Sequence, residues 1–209
     1  ALRERPHLMT VPDTQSKALQ RIRADVRAMQ GYHVQASQGL LKMDTMENPY
    51  RLPSDLQKQL GERLGALEIN RYPGERQEVL KNMLASYAGA PAGSVVLLGN
   101  GSDELITLLA LATAQPAAAD HSAAGRATML APMPGFVMYP LSAKLQGLDF
   151  IGIDLTDDFD LDVPAMQAAI ATHRPAITYL AYPNNPTATL WDEGKVQAIV
   201  DAVGQIGGL

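Results

Sequence analysis

Apolar residues follow helical spacing in the first third of the chain and fall into short runs afterwards, so two kinds of architecture are expected in sequence. Between residues 14 and 29, Leu19, Ile22, Val26 and Met29 recur on one face with arginines and glutamines between them, which predicts an amphipathic helix ahead of the body. Pro53 followed by Ser54, Asp55, Leu56 and Gln57 has the form of a capping box, and Leu56, Leu60, Leu64 and Leu67 then mark one helical stripe. A further helix is predicted over residues 75–88, with Val79, Leu80, Met83, Leu84 and Tyr87 on one side and Gly89 and Pro91 closing it. Both stripes are expected to be core.

Beyond Gly93 apolar runs at residues 95–98, 128–131, 150–155 and 176–182 read as strands. Helical segments are predicted between and after them, at residues 103–113, 136–146, 164–171 and 192–203. Four strand-helix units in a row call for an α/β fold with a parallel or mostly parallel sheet, helices forming the crossovers. Residues 204–209 come where another strand is expected, so the sheet is expected to be incomplete within this chain and the chain to be cut short. Residues 115–126, rich in alanine and proline, are longer than an ordinary helix-to-strand loop and are expected to be a mobile surface connector carrying His121 as a solvated side chain.

Composition narrows the function classes. The 209 residues are 46% hydrophobic and 19% charged, which suits one or two folded units. A formal net charge of -5 provides no field for nucleic acid or an anionic membrane. No cysteine is present, which removes disulfides and thiolate metal sites and fits a reducing cytoplasm. His7, His33, His121 and His173 form no paired cluster, so no metal is expected. No apolar run approaches the ~18 residues of a membrane span, and a soluble, untargeted protein is expected.

Three turns carry candidate chemistry. Gly99 to Ile106 reads GNGSDELI, between an apolar run and an apolar helix. Its glycines, Gly101 among them, permit a tight turn, and the N–H groups of Ser102, Asp103 and Glu104 would point out of a helix start towards an anion. The same residues also suit a plain strand-to-helix turn with Ser102 as N-cap. Tyr182 to Thr189 reads YPNNPTAT and could aim the amide of Asn185 into the crevice where open α/β sheets bind ligands; it could equally be an ordinary loop. Pro132 to Pro140 reads PMPGFVMYP and places Phe136 and Tyr139 near the same edge, as a stacking surface or as core.

Taken in order, MENPYRLP, NRYPG, GNGSDELI, PMPGFVMY and YPNNPTA resemble the first half of the histidinol-phosphate aminotransferases, which belong to the fold-type-I aminotransferases. The resemblance runs from about Tyr32 to the end. It implies the three-layer, mostly parallel sheet of that fold's large domain, incomplete here, with an N-terminal helical arm. Residues 1–52 would form the arm and a small-domain segment, and 53–209 the first part of the cofactor-binding domain. It implies pyridoxal 5'-phosphate as cofactor, with its phosphate at Gly101, Ser102 and Asp103, its ring stacked on Phe136 and its ring hydroxyl bonded to Asn185. Tyr72 would reach the phosphate from the partner subunit of a homodimer, and Tyr32, Glu47 and Asn48 would meet substrate. The reaction implied moves an amino group between L-histidinol phosphate and 2-oxoglutarate in histidine biosynthesis, in the cytoplasm.

Departures from the family pattern are Phe136 for tyrosine, Ala188 for glycine and Met46 for a polar residue. Alanine at 188 would be strained if the position needs a positive φ. Lys17, Lys42, Lys58, Lys81, Lys144 and Lys195 all lie outside the context expected of the imine-forming lysine, so no catalytic residue is assigned and the chain alone is expected to be inactive. Asp201 reads as a solvated helix charge. The competing readings are another small fold-type-I aminotransferase, an amino-acid-phosphate decarboxylase, a non-catalytic phosphate-binding α/β module, and a truncated relative acting only as a dimer partner.

Overall fold

In the computed structural model, residues 19–30, 36, 38–42, 47–72, 74, 76–114 and 125–209 are described. The chain divides into two units, Ala1–Leu97 and Leu98–Leu209.

The first unit carries helices α1 (Ala24–Arg27), α2 (Ser54–Gly65) and α3 (Arg76–Tyr87). Of the helix expected over 14–29, residues 14–18 lie outside the described residues and α1 is a single turn. The backbone is extended at Arg23, ψ 137°, and the Arg23 guanidinium folds onto Asp25 instead of lying along a helix. That guanidinium holds the Asp25 carboxyl down at about 2. The capping box is absent. Pro53 is the N-cap, so Ser54 already lies inside the first turn, and the Gln57 amide reaches back to the Leu52 carbonyl at 2.5 Å. α3 closes as expected, with Gly89 at φ 62° and the Ala90 N–H bonded to the Ala85 carbonyl.

Both stripes of this unit are exposed, contrary to the expectation of core: Leu60 is 45% and Val79 65% accessible. Periodicity fixes which face of a helix is apolar, but burial needs an opposing apolar surface. Residues 95–98 form no strand either. Val95 and Leu97 are exposed, and no backbone runs beside them among the described residues to take up their N–H and C=O groups.

The second unit runs α4 (Ser102–Thr113), β1 (Thr128–Met133), α5 (Met138–Gln146), β2 (Asp149–Asp154), α6 (Val163–His173), β3 (Ile177–Thr178) and α7 (Glu193–Ile206). The three strands are parallel in the order β2-β1-β3, with Met129 opposite both Phe150 and Ile177. Alternation along β1 sends Met129 and Ala131 into one apolar cluster with Ile106, Ala110, Tyr139 and Ala143 from α4 and α5. Leu130 enters a second cluster with Met166, Ile170, Ile199 and Val203 from α6 and α7. Helices therefore cover both faces of the sheet, which is the three-layer α/β arrangement expected.

Local sequence sets these elements. Asp162 caps α6 by accepting from the Ala165 N–H at 2.9 Å, with Pro164 in the first turn, and Asp192 caps α7 through the Lys195 N–H. Gly207 ends α7 at φ 73°, and a Cβ on Gly208 would lie 2.8 Å from the Pro175 carbonyl oxygen. The chain then returns to β3: Leu209 donates to Ala176 and accepts from Thr178, laying a further backbone along that edge in the parallel pattern. β3 is shorter than the run 176–182 predicted, because its bonds to β1 end with Tyr179 N–H to the Leu130 carbonyl. Past that point the backbone turns on itself.

Trp191, the one tryptophan of the sequence, is buried and donates through Nε1 to the Phe159 carbonyl at 3.0 Å, while its own carbonyl accepts from the Tyr182 hydroxyl at 3.1 Å. Lys195 pairs with Asp160 beside it. Among the described residues, no helix is long and apolar enough to cross a membrane, and no group of three or more His, Asp or Glu could hold a metal ion. A groove of about 400 Å3 lies between α6 and α7, lined by Ile170, Ala202, Asp201 and Gln205 among others. It contains no residue of the three turns, and Asp201 within it is exposed and accepts from Gln197.

Candidate functional site

At the start of α4, Gly101 is the N-cap, with φ 79° and ψ 179°. That conformation favours glycine, and it pushes Ser102 one place into the helix, so the reading of Ser102 as N-cap is corrected. No side chain caps this helix. Its first N–H groups and the positive end of its dipole are therefore open to an external acceptor. Two donors of the turn are already used: Asn100 N–H donates to the Glu104 carboxylate at 2.5 Å and Gly101 N–H to the Gly99 carbonyl at 2.9 Å. Ser102 and Asp103 are exposed. The Thr107 hydroxyl, 3.5 Å from that of buried Ser142, fastens α4 to α5.

The turn after β1 brings Phe136 to the carboxyl edge of the sheet. Gly135 is required there, since a Cβ would fall 2.5 Å from the Pro132 carbonyl oxygen. Phe136 is half-buried and meets Tyr139 edge-on, centroids 5.6 Å apart, and Tyr139 in turn stacks on Tyr179 at 4.4 Å with planes 7° apart. Tyr139 is core, 8% exposed. Burial raises both tyrosine hydroxyls, Tyr179 to about 12 with a smaller contribution from Tyr139. The rings thus set the attitude of Phe136 from below.

The turn after β3 is held chiefly by Asn184. This side chain is 3% exposed; its Nδ2 donates to the Pro134 carbonyl at 3.2 Å and to the Thr187 hydroxyl at 2.9 Å. Its backbone N–H donates to Thr189 and its carbonyl accepts from Ala188. Asn185, half-buried, makes no hydrogen bond with another described residue, so its amide is available. Ala188 stands at φ 58°, the positive value at which alanine is strained. Because β1 and β3 are parallel neighbours, both turns leave the same end of the sheet, where open α/β sheets bind ligands.

Three buried polar atoms lack partners among the described residues: Thr178 Oγ1, Tyr179 OH and Asn184 Oδ1. All follow or end β3. Sequence reasoning aimed Asn185 and passed over Asn184 and Tyr179. The doubled asparagine was the available signal, since one amide can be spent on the turn and the other left free.

The first unit holds the other expected site residues. Glu47 is exposed and lies 3.7 Å from Lys42, Asn48 accepts from the Tyr50 N–H at 3.0 Å, and Tyr72 is 98% exposed. Tyr32, Met46, Lys17 and His121 lie outside the described residues. None of the three turns contains a lysine.

Parallel strands between helical layers, with a glycine-started helix and a turn at the end of each of two neighbouring strands, define an open α/β fold. The family is narrower: residues 39–209 match the model of aminotransferase class I and II, and the chain belongs to that family. Over 94% of its length it is 65% identical to histidinol-phosphate aminotransferase of Paracidovorax citrulli (strain AAC00-1), covering 52% of that protein. The chain spans about half the length of the curated relatives it matches. In fold it is similar to the histidinol-phosphate aminotransferase of Clostridium acetobutylicum, with a TM-score of 0.62 and 19% identity over 77% of this chain and 43% of that one. The Sinorhizobium meliloti histidinol-phosphate aminotransferase, solved in complex with pyridoxal-5'-phosphate, gives a TM-score of 0.57 and 21% identity over 71% and 37%. Class I aminotransferases use pyridoxal phosphate.

Proposed function

We propose that the whole protein is a pyridoxal-phosphate aminotransferase moving an amino group between L-histidinol phosphate and 2-oxoglutarate, as a cytoplasmic homodimer. The observation that carries the cofactor reading is the free amide of Asn185 at the same sheet edge as the fixed ring of Phe136. The 65% identity to a protein named for this reaction supports the substrate. Residues 1–52 are read as the arm and small-domain segment, and 53–209 as the first part of the cofactor-binding domain.

The residues present fit the cofactor. Gly101 leaves the α4 N-terminus uncapped, so the N–H groups of Ser102 and Asp103 and the Ser102 hydroxyl hold the phosphate, while Glu104 keeps Asn100. Phe136 offers its face to the ring, and Asn185 donates to the ring hydroxyl, favouring its deprotonated form. When bound, the cofactor supplies an electron sink for the substrate's α-carbon. Tyr72 reaches the phosphate of the partner subunit's site, and Tyr32, Glu47 and Asn48 meet the substrate. No lysine of residues 1–209 is assigned the imine-forming role.

Titration of the full-length protein with pyridoxal phosphate, followed by absorbance, should give saturable binding. Turnover of histidinol phosphate with 2-oxoglutarate should exceed that of competing amino donors. Absence of a bound-cofactor absorption band overturns the cofactor reading, and a preferred donor lacking phosphate overturns the substrate.

A further inference from the structure

We propose that Asn184 is a positioning residue: it ties the turn carrying Asn185 to the turn carrying Phe136 and so sets where the Asn185 amide points. The inference rests on the cofactor reading above and adds to it a residue that touches no ligand. Its Nδ2 bridges Pro134 and Thr187, residues 50 and 3 positions away along the chain. The orientation of the amide follows from chemistry, because the Pro134 carbonyl can only accept and must therefore face the NH2 end.

Few other side-chain contacts could perform this task. Pro134 adjoins Gly135 and Phe136, Thr187 lies two residues after Asn185, and Asn184 adjoins Asn185 directly. Thr187 is itself held, accepting from the Thr189 hydroxyl at 3.0 Å as well as from Asn184. Loss of the Asn184 amide would release both ends of this brace. Ala188 N–H to the Asn184 carbonyl and Asn184 N–H to Thr189 would remain, since they are backbone bonds. The turn would therefore keep its local shape but lose its attachment to the neighbouring strand end. Asn185 and Phe136 would no longer be fixed relative to each other. At 3% exposure, Asn184 directs its Nδ2 to both ends of this link, while its Oδ1 has no partner among the described residues.

The test uses the full-length protein with pyridoxal phosphate bound, and reads the pH midpoint at which the cofactor's absorption changes, alongside cofactor affinity and the melting temperature of the cofactor-free protein. Because Asn185 donates to the ring hydroxyl, Asn185→Ala should raise the midpoint by roughly one pH unit. Asn184→Ala should raise it in the same direction and weaken cofactor retention by about tenfold, and the double variant should add little to Asn185→Ala alone. If Asn185→Ala shifts the midpoint while Asn184→Ala lowers only the melting temperature, Asn184 is merely structural and the proposal is overturned. If Asn185→Ala leaves the midpoint in place, the cofactor reading of that turn fails instead. Should Asn184→Ala not fold, Thr187→Val removes one end of the brace; an unmoved midpoint in that variant overturns the proposal as well.

Discussion

The interior of the second unit and its carboxyl edge are built on opposite principles, though they share strands. In the interior, Met129, Leu130, Ala131, Met166 and Ile170 are buried on both faces of the sheet among apolar neighbours. Along the end of β3, in the turn after it and at the start of α4, the same unit accumulates unfavourable features. Ala188 adopts a positive φ, three buried oxygens go without partners, and α4 starts without a side-chain cap. Local rules fail where a protein keeps geometry or polar atoms for something other than folding. Substitutions should therefore change sign between the two regions.

The largest effect should come from the interior. Leu130→Ala empties a fully buried position between α6 and α7 and should cost about 2–5 kcal/mol in urea unfolding; a loss below about 1 kcal/mol would break the comparison. Just past β3, Tyr179→Phe should stabilise by about 1 kcal/mol, because it removes a buried hydroxyl that lacks a partner among the described residues. Its pH signature has a definite sign. Burial keeps the folded phenol protonated until about 12, whereas the unfolded phenol ionises near ~10, so stability is full below ~10 and falls as pH rises towards the folded value. Calorimetry across that window should show a shallower decline in the variant.

A smaller gain, up to about 1 kcal/mol, is expected from Ala188→Gly, measured as a rise in melting temperature. A loss there would mean that the alanine methyl is used in packing. The smallest effect belongs to Asp160→Asn, which belongs to neither region. Lys195 holds the Asp160 carboxyl below its usual range, so the pair's contribution is present above the unfolded carboxylate range and fades as pH falls through the lowered folded value. Asp160 raises Lys195 in return, a contribution lost only as pH climbs past the lysine range. Exposed pairs contribute little, so the variant should only flatten the acid limb of a stability profile.

Much of the second unit was legible in the sequence, because strand runs and capped helices carry their instructions locally. Asp162 and Asp192 announce α6 and α7, and Gly147 and Gly207 end their helices in left-handed turns. What could not be read was anything depending on a surface supplied from elsewhere. The stripes of α2 and α3 predict helices correctly and burial wrongly, and Val95 to Leu98 has strand composition with no strand beside it among the described residues. At the site, the strain at Ala188 was foreseeable from its departure from glycine. Asn184 was not, because its role depends on Pro134, 50 residues away, and only folding brings the two together.

The buried position of Trp191 gives this molecule an optical property. Its indole N–H is fixed to Phe159, and its carbonyl is bonded to the hydroxyl of Tyr182, the first residue of the turn that carries Asn184 and Asn185. With no second tryptophan in residues 1–209, their tryptophan emission, excited beyond the tyrosine absorption, comes from one ring in one environment, anchored to the segment where ligand chemistry is expected. Any movement of that turn is thus written into the colour and intensity of the chain's own fluorescence, readable without a label.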